Sequence, residues 1–279
     1  MKFFMPNGKE ISAEEFVKEY SDDYFLKKPG VKGLVPGLKR SSEFVEKTIS
    51  AILRNGIQDE QDVARILAWK IGKIRHRDSQ NSGTSDEERH FEYSKDWVNA
   101  EKFGDVWLYC KDKTPEKAFP LKDITSFIAK KNENNELILE SLAKNNRLEL
   151  LNTINDYIIN KKIQYFGTVY IITLLYFLSR GETPIYDKYA MMALDAICSD
   201  TAPKENGKVY IKYNALPSNK IKDKEAFNHI ISCRISEYED KIKTVYEEFG
   251  DQWKRCRKFD QALWVYGHLF TDDKKSLCC

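Results

Sequence analysis

The segment Lys161–Cys198, KKIQYFGTVYIITLLYFLSRGETPIYDKYAMMALDAIC, restricts the fold of this chain more than any other. It reads as two buried helices separated by a short turn, each with a distinctive residue at its start. Gly167 opens the first helix after the tight segment Ile163–Phe166. Thr183-Pro184 is expected to open the second, as an N-cap followed by the residue favoured at the first helical position. In that register Asp187 lies in the first turn, where the positive end of the helix dipole favours a negative charge. The apolar run Val169–Leu178 is about half the length needed to span a bilayer and lies between Lys161-Lys162 and Arg180, so it reads as a core helix.

At about 100° per residue, Asp187 shares a helix face with Ala190, Met191, Leu194 and Cys198. Lys188 and Asp195 lie roughly a quarter-turn away. Two roles fit an Asp at such a place. It complements the dipole and nothing more, or it is a carboxylate held at the edge of a buried surface for chemistry.

A helix ending near Asn160, a glycine-containing hairpin, an apolar helix, a short loop and an Asp at the next helix start follow in order. This arrangement resembles the helix-hairpin-helix DNA glycosylase superfamily, the 8-oxoguanine glycosylase-like branch in particular. There the hairpin reads roughly L-P-G-V-G-x-K-T-A and an essential Asp follows. Here the segment is Ile163-Gln164-Tyr165-Phe166-Gly167-Thr168-Val169-Tyr170-Ile171, and Asp187 stands where that Asp belongs. Tyr165 takes the place of the first glycine. Val169 takes the place of the lysine nucleophile of bifunctional members, and a Val forms no Schiff base.

The resemblance implies an all-α, two-lobed fold with a central cleft that carries Asp187. It implies DNA, including single-stranded or damaged DNA, as the partner, and base excision without a cofactor. In such chemistry the base is first rotated out of the stack. An ionised Asp187 then stabilises the oxocarbenium-like sugar and orients water. At the hairpin, the N–H groups around Phe166, Gly167 and Thr168 open a helix without intrahelical partners, so they can hold a phosphate, with Lys161 and Lys162 beside them.

Two further basic clusters are candidate phosphate contacts. On the helix expected over residues 59–77, Lys70 projects near the centre of the apolar face formed by Val63, Ile66, Leu67 and Ile74, and Lys73 extends a basic rim. A Lys there either snorkels its ammonium out to solvent or points it into a cleft. Near the C-terminus, Lys254, Arg255, Arg257 and Lys258 form the most basic short stretch, which is either a solvated face or a phosphate contact. Trp97, Phe103, Trp107 and Tyr109 fill a core or stack bases.

Other chemistries find no support in the sequence. The six cysteines include no C-x-x-C pair and the four histidines are dispersed, so no metal site is expected. There is no Walker loop, no G-x-S-x-G elbow and no dinucleotide fingerprint. A net charge of +2 permits a local basic face without demanding one. The scattered cysteines and the early polar turn of MKFFMPNGKE point to a cytoplasmic protein with reduced thiols and no signal peptide. A monomer is expected, with no membrane partner.

Along the chain, a turn is expected at Pro6-Asn7-Gly8 and a helix from the capping box Ser12-Ala13-Glu14-Glu15. Residues 27–40 and 80–88 read as loops. Helices are expected from Ser41-Ser42 to about Leu53, over Phe119–Asn160, over Lys224–Glu248 and over Trp253–Phe270, with a short strand near Lys208–Tyr213. Three regions follow: 1–115, which packs with the C-terminal helices, 116–200 with the hairpin 161–169 and Asp187, and 201–279. Three functions fit this reading: a DNA glycosylase-like enzyme, a catalytically inactive nucleic-acid-binding module on the same scaffold, and an all-α interaction protein in which Asp187 only caps.

Overall fold

Short-range signals in the sequence set most element boundaries. The computed structural model describes residues 1–24, 43–71, 91–92, 99–103, 106–110, 121–161, 168–202, 209–211 and 224–272. In chain order these form β1 (Phe3–Phe4), β2 (Glu10–Ile11), α1 (Ala13–Asp23), α2 (Glu43–Asn55), α3 (Glu60–Ile71), β3 (Phe91–Glu92), β4 (Asn99–Phe103) and β5 (Val106–Cys110). There follow α4 (Leu121–Ile128), α5 (Ile138–Asn145), α6 (Arg147–Asn160), α7 (Thr168–Leu178), α8 (Lys188–Cys198), β6 (Val209–Ile211), α9 (Lys224–Phe249), α10 (Arg257–Gly267) and β7 (Phe270–Asp272). The described chain is mostly helical. It divides into two compact units, one of Met1–Lys39, Pro184–Pro217 and His229–Cys279, the other of Arg40–Thr183 and Ser218–Asn228.

The first unit opens on a hairpin. Pro6-Asn7-Gly8 turns the chain with Gly8 at φ +81°, and Met5 N–H donates to Lys9 O at 2.8 Å. The expected capping box then starts α1: Glu15 N–H donates to Ser12 Oγ, and Ser12 N–H to Glu15 Oε2. Phe16 and Tyr20 of α1 meet Tyr266 of α10 at ring distances of 5.2 and 5.0 Å, and Phe3 adds a ring 4.5 Å from Phe16. Burial of each such ring stabilises by roughly 1.5–3 kcal/mol. α8 packs on α10 so closely at Gly267 that a Cβ there would lie 1.8 Å from Tyr189 O. α9 joins α8 through Lys241, which pairs with Asp195 of α8 and with Glu237 of its own helix. Burial pushes Asp195 above the usual carboxylate range, and the Lys241 charge only partly offsets this.

In the second unit α7 is the central helix, with Ile171 through Ser179 all buried. α3 packs on α7, on α2 and on α4. The Trp69 ring meets Phe177 edge-on at 5.8 Å, while its indole N–H donates to the buried Glu46 carboxylate of α2 at 2.8 Å. Asn146 caps α6 by accepting from Glu149 N–H. Phe127 of α4 stacks on Tyr157 of α6 at 3.8 Å. At the end of α7, Arg180 enters the left-handed region (φ +51°), and Gly181 N–H donates back to Tyr176 O, the hydrogen-bond pattern of a Schellman termination.

The structure refines several sequence expectations. The mostly helical character agrees with the all-α expectation, and a small sheet is added to it: β3, β5 and β4 form three short strands against α3, with β5 paired parallel to β3 and antiparallel to β4. The helical stretch expected over Phe119–Asn160 consists of α4, α5 and α6, separated by the turn at Asn135 (φ +62°) and by the Asn146 cap. Leu148 of α6 is 55% exposed. The last helix is shorter than expected. It begins at Arg257, after a 3-10 turn at Asp251–Trp253 and a left-handed Arg255, and Phe270 belongs to β7, which pairs parallel with β6. The loops expected over residues 27–40 and 80–88 lie outside the described residues. Among the described residues, no helix is long and apolar enough to cross a membrane.

Two tests follow from this packing. Gly267→Ala forces a methyl group into the α8 backbone and should cost at least about 2 kcal/mol in urea unfolding. Lys241→Met removes the cation beside Asp195 and should cost about 1–2 kcal/mol at neutral pH. Because Lys241 offsets part of the upward push of burial on Asp195, its loss raises that carboxyl further, so this variant should regain stability on the wild type as pH falls from about 7 to about 4. A stability gap that does not narrow on acidification would contradict that account.

Candidate functional site

Asp187 does not lie inside a helix. The expected start at Thr183-Pro184 is wrong by four residues, because α8 begins at Lys188 with Asp187 as its N-cap. Asp187 is extended (φ −139°, ψ 146°), and its Oδ1 accepts from Tyr189 N–H at 2.9 Å while its carbonyl accepts the first helical bond from Met191. Two cap signals competed for the same helix. The stretch before Asp187 stays out of the helix while burying Ile185 and Tyr186, and the Tyr186 ring meets Tyr238 of α9 at 5.4 Å. The outcome is a half-buried carboxylate whose orientation is set by the helix it caps.

Around it the first unit assembles groups from three helices. Tyr238 of α9 is wholly buried, and its phenol is pushed well up, first by burial and then by the charge of Asp260, with Asp187 also acting on it. Asp187 and the buried Asp260 of α10 thus both act on one phenol that stays protonated. Burial, then Asp260, likewise raises Tyr246. Arg257 lies 3.9 Å from Asp260 Oδ2, donates to the Tyr24 hydroxyl at 3.2 Å and covers the Tyr24 ring at 5.5 Å.

The next residues of α8 and α10 form an aromatic shelf. The Tyr189 ring stacks on His268 at 3.5 Å and 20°, and Trp264 lies 4.1 Å from the same imidazole. His268 Nδ1 is 2.7 Å from Trp264 O, which can only accept, so Nδ1 carries the proton. All three rings are half-exposed, and the Lys188 ammonium lies 5.9 Å from the Tyr189 ring centre. A part-exposed aromatic surface is suited to hold a planar ligand, and a carboxylate fixed at the start of the same helix is suited to stabilise developing positive charge.

The other expected site residues fall in different places. Arg257 shares a unit with Asp187, but its guanidinium is occupied by Tyr24 and Asp260, a structural clamp rather than an outward cation. Arg255 is exposed in the same unit, just before α10. Lys70, Lys161 and Thr168 belong to the second unit. Lys70 is half-exposed in the last turn of α3, although Val63, Ile66 and Leu67 of its helix are fully buried. Lys161 is exposed at the C-terminal cap of α6, and Thr168 is the first residue of α7. Lys73, Lys162, Phe166 and Gly167 lie outside the described residues.

Sequence reasoning missed Tyr189, Asp260, Trp264, His268 and Tyr238. A usable signal existed for two of them. Trp264 and His268 are four apart, so they share a helix face. Nothing in the sequence pairs that face with Tyr189.

The cap predicts a clear split between two substitutions. Asn is as good an N-cap as Asp, so Asp187→Asn should shift the unfolding free energy by no more than a few tenths of a kcal/mol, whereas Asp187→Ala should lose about 1 kcal/mol. Equal losses in thermal denaturation would mean that the charge, not the cap bond, holds α8. Compared with known proteins, the chain matches no protein-family model, no curated protein and no solved structure.

Proposed function

We propose that this protein is a DNA glycosylase-like enzyme that excises a modified base by an Asp-activated water, without a lysine nucleophile. The observation that carries the reading is the placement of Asp187: a carboxylate fixed by the Tyr189 backbone N–H at the N-terminus of the helix whose Tyr189 ring stacks on His268. The helix-hairpin-helix resemblance over roughly Leu148–Ser199, with Val169 at the lysine position, supports the same chemistry. In this reading a flipped base lies against the aromatic shelf, and Asp187 faces the sugar and stabilises the charge that grows on it as the glycosidic bond breaks. The enzyme acts on DNA as a cytoplasmic monomer and needs no cofactor.

A second reading rests on the Tyr189 N–H bond to Asp187. The carboxylate is then a cap and the molecule a helical interaction protein. The purified protein and Asp187→Asn, assayed on oligonucleotides carrying a panel of modified bases, separate the two. The enzyme reading expects base release by the wild type, at least a hundredfold slower release by Asp187→Asn, and DNA affinity unchanged within about twofold, because the charge acts chiefly in the transition state. DNA binding without release from any lesion would favour a catalytically inactive nucleic-acid-binding module. Neither binding nor release leaves the interaction protein.

A further inference from the structure

The second unit holds a cavity of about 440 Å³, bordered by the α2–α3 connection, the turn before α5, the first two turns of α5 and the end of α7. That volume falls within the roughly 300–1,000 Å³ of ligand pockets. Three cationic residues line it from three separate elements: Lys131 from the turn, Lys144 from α5 and Arg180 from the residue that terminates α7. Glu136 and Glu140 are its carboxylates, so three positive charges stand against two negative ones.

The local backbone is arranged to present Arg180. The residue adopts a left-handed conformation (φ +51°) that a non-glycine residue takes only at an energetic cost. Gly56, itself at φ +80°, leaves room for its guanidinium, since a Cβ there would lie 2.7 Å from Arg180 Nη2. Glu140, with a side chain 12% exposed, is the internal counter-ion: Arg180 Nε lies 2.6 Å and Lys144 Nζ 3.1 Å from its Oε1. Lys131 pairs with no carboxylate among the described residues. Leu137, the N-cap of α5, makes no side-chain cap bond and lines the cavity, which places the positive end of a helix dipole there as well.

We propose that this cavity binds the phosphate group of a phosphorylated ligand, with Lys131, Lys144 and Arg180 as its cations. A dianion with several oxygens matches three cationic residues that line one cavity from different elements. A single carboxylate would only repeat what Glu140 supplies. The volume leaves room for the group to which the phosphate is attached. A salt-bridge staple between α5 and α7 accounts for Glu140, Lys144 and Arg180, but not for Lys131 or for the open space. The inference stands apart from the role of Asp187, which lies in the other unit.

Calorimetric titration of the full chain with inorganic pyrophosphate, and separately with a short single-stranded thymidine oligonucleotide, tests it. Lys131→Gln and Lys144→Gln serve as variants because both lysines are exposed and their loss should leave the unfolding midpoint unchanged. The expected result is binding to the wild type that each variant weakens by at least about tenfold. If pyrophosphate alone shows this loss, the phosphate belongs to a free small molecule. If the oligonucleotide shows it at lower concentration than pyrophosphate, the phosphate belongs to a nucleic-acid backbone. No binding of either probe by the wild type, or binding that both variants retain in full, overturns the proposal and leaves the staple.

Discussion

The approach of α10 to the first turn of α8 is the contact on which the candidate site depends. Gly267 makes it possible, because any side chain at that position would meet the Tyr189 carbonyl. With the two backbones in contact, His268 falls on the Tyr189 ring, and Trp264, one turn earlier, meets the same imidazole. A further turn back lies Asp260, whose charge acts with that of Asp187 on the phenol of Tyr238. One close approach therefore aligns an aromatic shelf and two carboxylates. It is bought with a residue that contributes no packing of its own.

The second unit uses a different device, a mostly apolar helix whose residues from Ile171 onward are all buried. α7 buries every residue from Ile171 to Leu178, so its neighbours have to bring their own polar groups in already satisfied. Glu46 is an example. Its carboxylate is buried but accepts the Trp69 indole N–H, and the Trp69 ring then covers Phe177 of α7. Where α7 ends, its Schellman termination directs Arg180 towards Glu140. A mostly apolar, buried helix thus finishes in a strained, charged corner that borders a cavity.

Charge is placed with the same selectivity in the first unit. The basic stretch before α10 is not one surface. Arg257 is folded back onto Tyr24 and Asp260, Lys254 pairs with Asp251 at 2.8 Å, and Arg255 is exposed in a left-handed conformation. The same residues seen only as letters form a uniform cationic run. Tertiary contacts divide it into a clamp, a surface ion pair and an outward side chain, and these have different capacities for phosphate.

Signals that act within a few residues were legible in the sequence. The Ser12–Glu15 capping box, the Pro6-Asn7-Gly8 turn, the end of α2 before Gly56 and the end of α9 before Gly250 all lie where the sequence places them, since each rests on local hydrogen bonds or on a glycine at positive φ. The burial of α7 was legible too, from its unbroken apolar run. The sheet of β3, β4 and β5 was not, although Phe103-Gly104-Asp105-Val106 carries a two-residue hairpin signal, because a strand needs its partner before its alternation means anything. The start of α8 shows the same limit. Thr183 and Asp187 are both sound caps, and burial of Ile185 and Tyr186 against distant residues selects Asp187. Sequence alone thus determined where helices can begin and end. Tertiary structure decided which of the permitted ends is used, and which side chains meet across helices, because burial and close approach depend on residues far apart in the chain.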